Sequence, residues 1–233
     1  MKQKHDVTLS GDKTASNTRF GAGTCIDGNL NLKQTQIKKL PKKFRVTGSL
    51  DLSGTPISRL PKDIRIGGDL DLSLSDIEQL PENLHIPGNL NLIGTLITKL
   101  PKGLRVGGNL DLRATAIETL PNTLKVGGDL DLSGTIIQEL PKRLDVGGDL
   151  YLVSSLIVKL PKQMTIKGGL DLSGTMVSSL PKQLRVGSWL NLSGTTIKKL
   201  PNKLVVGGWL DIRGTDIERL PKNNRGQTEV SQN

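Results

Sequence analysis

A Leu-Pro pair stands at Leu40-Pro41 and returns every 20 residues without a slip, ten times, ending at Leu220-Pro221. Ten of the 12 prolines lie in this one column. A fixed period of this length is the signature of a solenoid, in which a unit buries its apolar face only by stacking on its neighbours. The working unit reads G-x-L-D-L-S-G-T-x-I-x-x-L-P-x-x-L-x-V-G. Its Leu50-Asp51-Leu52 segment alternates apolar and polar, so it is expected to be a strand with Leu50 and Leu52 inward and Asp51 outward. Ile57 and Leu60 return to the core. Pro61 stops a helix or a ladder, and Ile66 follows only six positions after Leu60, so the back of each coil is expected to be extended or a short 3₁₀ turn. Thr55 heads a column that is Thr or Ser in all ten units, where a hydroxyl can satisfy backbone groups as the chain leaves the strand. The Gly67-Gly68 pair tolerates positive φ and close packing on the next coil.

The ends differ. Residues 1–27 read as a flexible head and N-terminal cap, with Phe20 in the Leu40 column and Ile26 in the Val46 column. Residues 28–221 are the ten repeats. Residues 222–233 hold a single apolar residue, Val230, and are expected to be disordered. Cys25 is the only cysteine, which excludes an intramolecular disulfide. Met1 to Phe20 has no apolar run of signal-peptide length, and no window approaches the ~18 apolar residues of a membrane span.

The pattern L-x-L-x-x-T-x-I-x-x-L-P resembles leucine-rich repeats, and most of all the short bacterial class with a Leu-Pro in each unit, as in YopM- and IpaH-like type III effectors and related enterobacterial or prophage proteins. The resemblance covers residues 28–221. It implies a leucine-rich-repeat solenoid, mostly β, with a parallel concave sheet and no α-helix on the convex side. It also implies protein binding, and either the bacterial cytoplasm or secretion into a host cell without a cleaved signal. Thr replaces the family's usual Asn, and nothing corresponds to the ubiquitin-ligase domain of the IpaH-like proteins, so ligase activity does not carry over.

Three outward rows are expected on the concave face. The central row is Asn31, Asp51, Asp71, Asn91, Asp111, Asp131, Tyr151, Asp171, Asn191 and Asp211. The row before it runs from Asn29 through Asp149 to Gly169, Trp189 and Trp209, and the row after it from Lys33 to Arg213. Together they hold nine Asp against three basic residues, net −6, which leaves +16 on the remainder of a chain whose net charge is +10. An acidic trough for a basic protein and a solubilising ladder are both consistent with this. Of five aromatics, Tyr151, Trp189 and Trp209 fall on this face, with Gly169 leaving room. Exposed Trp and Tyr mark binding hot spots, although tryptophans could equally cover the last coils.

The candidate contact residues are therefore Asp51, Asp71, Asp111, Asp131, Tyr151, Asp171, Trp189, Asn191, Trp209 and Asp211. The basic columns, such as Lys42, Lys62 and Lys102, lack the aromatics that stack nucleic-acid bases, which disfavours nucleic acid and leaves an anionic membrane surface open. His5 and His85 lie 80 positions apart, and no nucleophile–base or metal-ligand spacing appears. No cofactor, metal or small-molecule substrate is expected, and no enzymatic activity; the alternatives to a protein-binding module are a self-assembling structural solenoid and a remnant of a larger effector that lost its catalytic domain.

Overall fold

The computed structural model describes residues 20–220 and 230–231. Every coil contributes two short strands separated by a bend, for example Arg45–Val46 and Leu50–Asp51. The second strand of each coil, from Leu30–Asn31 to Leu210–Asp211, builds one long parallel sheet in which Val230–Ser231 is the eleventh strand. The first strands pair in shorter parallel sheets of three, four and three strands. Register advances by one repeat per strand, Leu50 opposite Leu70 and Asp51 opposite Asp71. The third side is extended, with isolated parallel bridges such as Arg59 to Gln79. No described residue is helical, as the Pro column requires.

The core is a stack of apolar rows. Leu50, Leu52 and Ile57 are at most 1% exposed, and their counterparts repeat this coil after coil through Leu190, Leu192 and Ile197. At the N-terminal end Phe20 packs edge-on against Phe44, with ring centroids 5.2 Å apart, and Cys25–Ile26 pairs with Arg45–Val46. Residues from Phe20 onward thus form a partial coil below the first full one, and the rest of the expected head and cap, residues 1–19, lies outside the described residues.

The hydroxyl column acts as its chemistry suggests. Nine of its ten members donate to the carbonyl three residues back, at 2.6–2.8 Å, closing the turn after the strand. That turn places one residue per coil in the left-handed region, with φ between 53° and 67°, and six of the ten are glycine. Gln34, Leu74, Ala114 and Ser154 hold the same conformation with a side chain.

Gly127 is glycine for another reason. A Cβ there would stand 2.1 Å from the Gly107 carbonyl oxygen of the coil below. Of the tail for which disorder is expected, the described residues Val230 and Ser231 pair in parallel with Leu210 and Asp211. The edge of the last coil offers unpaired backbone groups, and an extended segment in register satisfies them. Residues 221–229 and 232–233 lie outside the described residues.

Candidate functional site

The candidate site is the outer face of the long sheet, where the polar rows turn out to have duties inside the fold. In the central row, nine of ten side chains accept a hydrogen bond from the backbone N–H two residues on, at 2.8–3.1 Å. This Asx turn ends each strand, and it needs a short side chain with an acceptor oxygen, hence Asp or Asn. Tyr151 is the exception. Further contacts link coils: Asn91 Nδ2 donates to Asp71 Oδ2 at 3.3 Å, and Asn191 Nδ2 to Asp171 Oδ2 at 3.2 Å. The asparagines thereby separate carboxylates that would otherwise be neighbours.

The preceding row carries a second device that the sequence alone did not reveal. The side-chain oxygen of each member accepts the backbone N–H of the same position one coil on. This chain of contacts runs from Asn29 through Ser49, Asp69, Asn89, Asn109, Asp129 and Asp149 to the amide of Gly169, at 2.5–2.9 Å. The two rows together satisfy the outermost amide at each end of a two-residue strand, where the ladder itself supplies no partner. The leaning acceptors also explain a glycine column. A Cβ at Gly48, Gly68, Gly88, Gly108, Gly128, Gly148 or Gly168 would come within 2.0–2.5 Å of the acceptor atom beneath it. The visible signal was the recurrence of Asn, Asp or Ser one place after that glycine.

The ladder stops at Gly169, which has no oxygen to pass on. In the next coil the glycine column relaxes to Ser188, and the acceptor row becomes Trp189 and then Trp209. The two indoles stack with centroids 5.2 Å apart and planes 7° from parallel. Trp189 leans back over Gly169, where a Cβ would meet its Cε2 at 2.0 Å, and approaches Tyr151 with centroids 5.7 Å apart. Tyr151 Oη donates to Asp149 Oδ2 at 3.1 Å. Partial burial, that hydrogen bond and the charges of Asp149, Asp129 and Asp131 push the phenol up to about 12. Tyr151 and Trp189 are half-buried, and Trp209 is 42% exposed. The sequence-expected aromatics therefore form one continuous ledge across three coils and a gap.

Two arginines of the following row fold back on the central carboxylates. Arg113 spans Asp111 at 2.6 Å and Asp131 at 3.4 Å. Arg213 takes both oxygens of Asp211, which it holds below the usual carboxylate range chiefly through that hydrogen bond. Asp211 is only 3% exposed, so Arg213 is what the last coil presents there. Asp51, Asp71, Asp111, Asp131, Asp171 and Asn191 are half-buried. His85 is exposed in a basic column beside Arg105, and His5 lies outside the described residues.

One strand of the long sheet per 20-residue unit, with both leucines of L-x-L in a shared core and each unit in register with the next, decides the fold. It is a leucine-rich-repeat solenoid. The solenoid is similar to solved structures of bacterial leucine-rich-repeat proteins. One is a Leptospira interrogans protein, 18% identical over 97% of this chain and 94% of that one, with a TM-score of 0.34. Another is YopM from Yersinia enterocolitica, 17% identical over 89% of this chain and 64% of YopM, with a TM-score of 0.22. No protein-family model and no curated protein matches the chain.

Proposed function

We propose that this solenoid is a non-enzymatic protein-interaction module that holds its partner on the outer face of the long sheet, with the Tyr151–Trp189–Trp209 ledge as the anchor. The observation that carries the reading is the stacked Trp189–Trp209 pair, with Trp189 half-buried and Trp209 42% exposed. Two stacked indoles on a rigid sheet give a large apolar and polarisable contact at little entropic cost, the property that makes Trp and Tyr hot-spot residues. The carboxylates around the ledge favour a partner with a basic surface, whose arginine side chains can lie on the rings and pair with Asp149 or Asp171.

The resemblance of the repeat to effector solenoids supports placement among secreted bacterial effectors, exported without a cleaved signal, with the bacterial cytoplasm as the alternative location. The exposed lysine columns would also suit an anionic membrane surface. Capture of partners by the wild-type chain and by a Trp189→Ala/Trp209→Ala double variant tests the reading. A specific partner retained by the first and lost by the second supports it, and equal retention by both overturns it.

A further inference from the structure

An exposed apolar stripe runs along the flank that follows the long sheet, apart from the aromatic ledge. It consists of Leu96, Ala116, Ile136, Leu156 and Met176, one residue from each of five consecutive coils and all from one column. Leu96 is 58% exposed, Ile136 42%, Leu156 49% and Met176 63%. In the same column the stripe gives way to Asp76 on one side and Thr196 on the other. Five coils at ~4.8 Å make a ridge roughly 20 Å long. Four large apolar side chains at such exposure, in a row that only Ala116 interrupts, are costly to leave in water.

We propose that this stripe docks on the same stripe of a second copy of the chain, antiparallel, with Ile136 on the two-fold axis. Two features choose this occupant. The first is period. A second copy repeats at the same coil spacing, so side chains can meet one to one at every coil. A helix advances about 5.4 Å per turn and an extended strand about 6.7 Å per residue pair, and both drift out of step over the stripe.

The second feature is charge. The stripe is bracketed by Asp76 and Glu78 at its N-terminal end and by Lys198 and Lys199 at its C-terminal end, and all four are exposed. Reversal about Ile136 sets Leu96 against Met176 and Ala116 against Leu156, and brings Glu78 opposite Lys198. Two-fold symmetry makes that ion pair twice. Asp216 and Glu218, one coil further on, fall opposite Pro56 and Ser58; in the outer row that holds Lys199, Glu139 falls opposite its own copy and Arg59 opposite Arg219, so the contact is confined to the two rows nearer the long sheet. A parallel pairing would instead set acid on acid and base on base.

The contact is narrow, so the dimer is weak and reversible. Sedimentation of the full chain over a concentration series is expected to show a monomer–dimer equilibrium. Ile136→Arg, which sets two guanidinium groups face to face at an exposed position, is expected to weaken it by about tenfold or more with an unchanged thermal melt. Glu78→Lys weakens it, and Glu78→Lys combined with Lys198→Glu restores it. In a Cys25→Ser background, Ile136→Cys is expected to oxidise to a disulfide-linked dimer. Leu96→Cys alone does not, but Leu96→Cys mixed with Met176→Cys does. A wild-type chain that stays monomeric up to its solubility limit overturns the proposal. So does association that Ile136→Arg leaves intact, or cross-linking by Leu96→Cys alone, which would mean a parallel pairing. A wild-type monomer whose stripe instead binds a helix of another protein overturns it in favour of that partner.

Discussion

The Asp149 carboxylate accepts the backbone N–H of Gly169 at 2.5 Å, and Gly169 has no side chain with which to serve the next coil. One face of the solenoid changes character at this contact. Before it, short polar side chains tie coil to coil. After it, the space left by the missing side chain is filled by Trp189. The glycine is thus the socket of the ledge. Gly169→Leu is expected to push Trp189 off its stack with Trp209 and to abolish the exciton couplet of the paired indoles in circular dichroism. The loss of stability should be about 0.5–1.5 kcal/mol, the worth of an aromatic pair. An intact couplet in that variant would mean that Trp189 does not depend on the socket.

The acceptor ladder has a separable consequence. Asn109 Oδ1 holds the amide of Asp129 at 2.8 Å, and the neighbouring glycine leaves it room. Asn109→Ala removes the acceptor and is expected to cost about 0.5–1.5 kcal/mol in urea denaturation. Asn109→Asp keeps the oxygen and should cost less. Hydrogen exchange at the Asp129 amide should quicken in the alanine variant and not in the aspartate variant.

Leu74 sits at φ 55°, where six of its nine counterparts are glycine, and it is 71% exposed. An L-residue in that region costs about 1–2 kcal/mol, while glycine costs about 0.5–1 kcal/mol in unfolded-state entropy. Leu74→Gly is therefore expected to stabilise the chain by about 0.5–1 kcal/mol, read as a higher melting temperature. A destabilised variant would show that the Leu74 side chain makes contacts worth more than the backbone strain.

Tyr151 is the only tyrosine, so its titration can be followed by tyrosinate absorbance without interference from others. The folded phenol is held at about 12, above the unfolded value, by burial first and by its bond to Asp149 second. A raised pKa favours the neutral form, so this contribution to stability is complete below about pH 10 and is lost as pH rises towards the folded value. The native chain is expected to ionise near pH 12, and Asp149→Asn to ionise lower, since it removes a charge that opposes the phenolate. An unshifted titration in the wild type would contradict the Tyr151–Asp149 contact.

The architecture was legible because each structural demand repeats ten times. Leu50 and Leu52, the hydroxyl of Thr55 and the stop at Pro61 each state their role by residue type and spacing alone. The aromatic ledge was legible as well, since Trp189 and Trp209 occupy one column and Gly169 the gap beside them. What the pattern concealed was direction. Asp69 and Asp71 both read as outward acids, yet one reaches across to the next coil and the other turns back on its own strand. Two carboxylates two residues apart look alike in a sequence, and only the backbone amides around them tell them apart. The strand at Val230–Ser231 was hidden for a related reason, because one apolar residue in a polar tail carries no periodicity.

The most direct test is the affinity of a captured partner for four chains: wild type, Trp189→Ala/Trp209→Ala, Gly169→Leu and Ile136→Arg. The expected result is strong binding by the wild type and by Ile136→Arg, and a loss of about 2 kcal/mol or more, roughly thirtyfold, in the two ledge variants. Equal affinity across all four chains would contradict the ledge as the binding site.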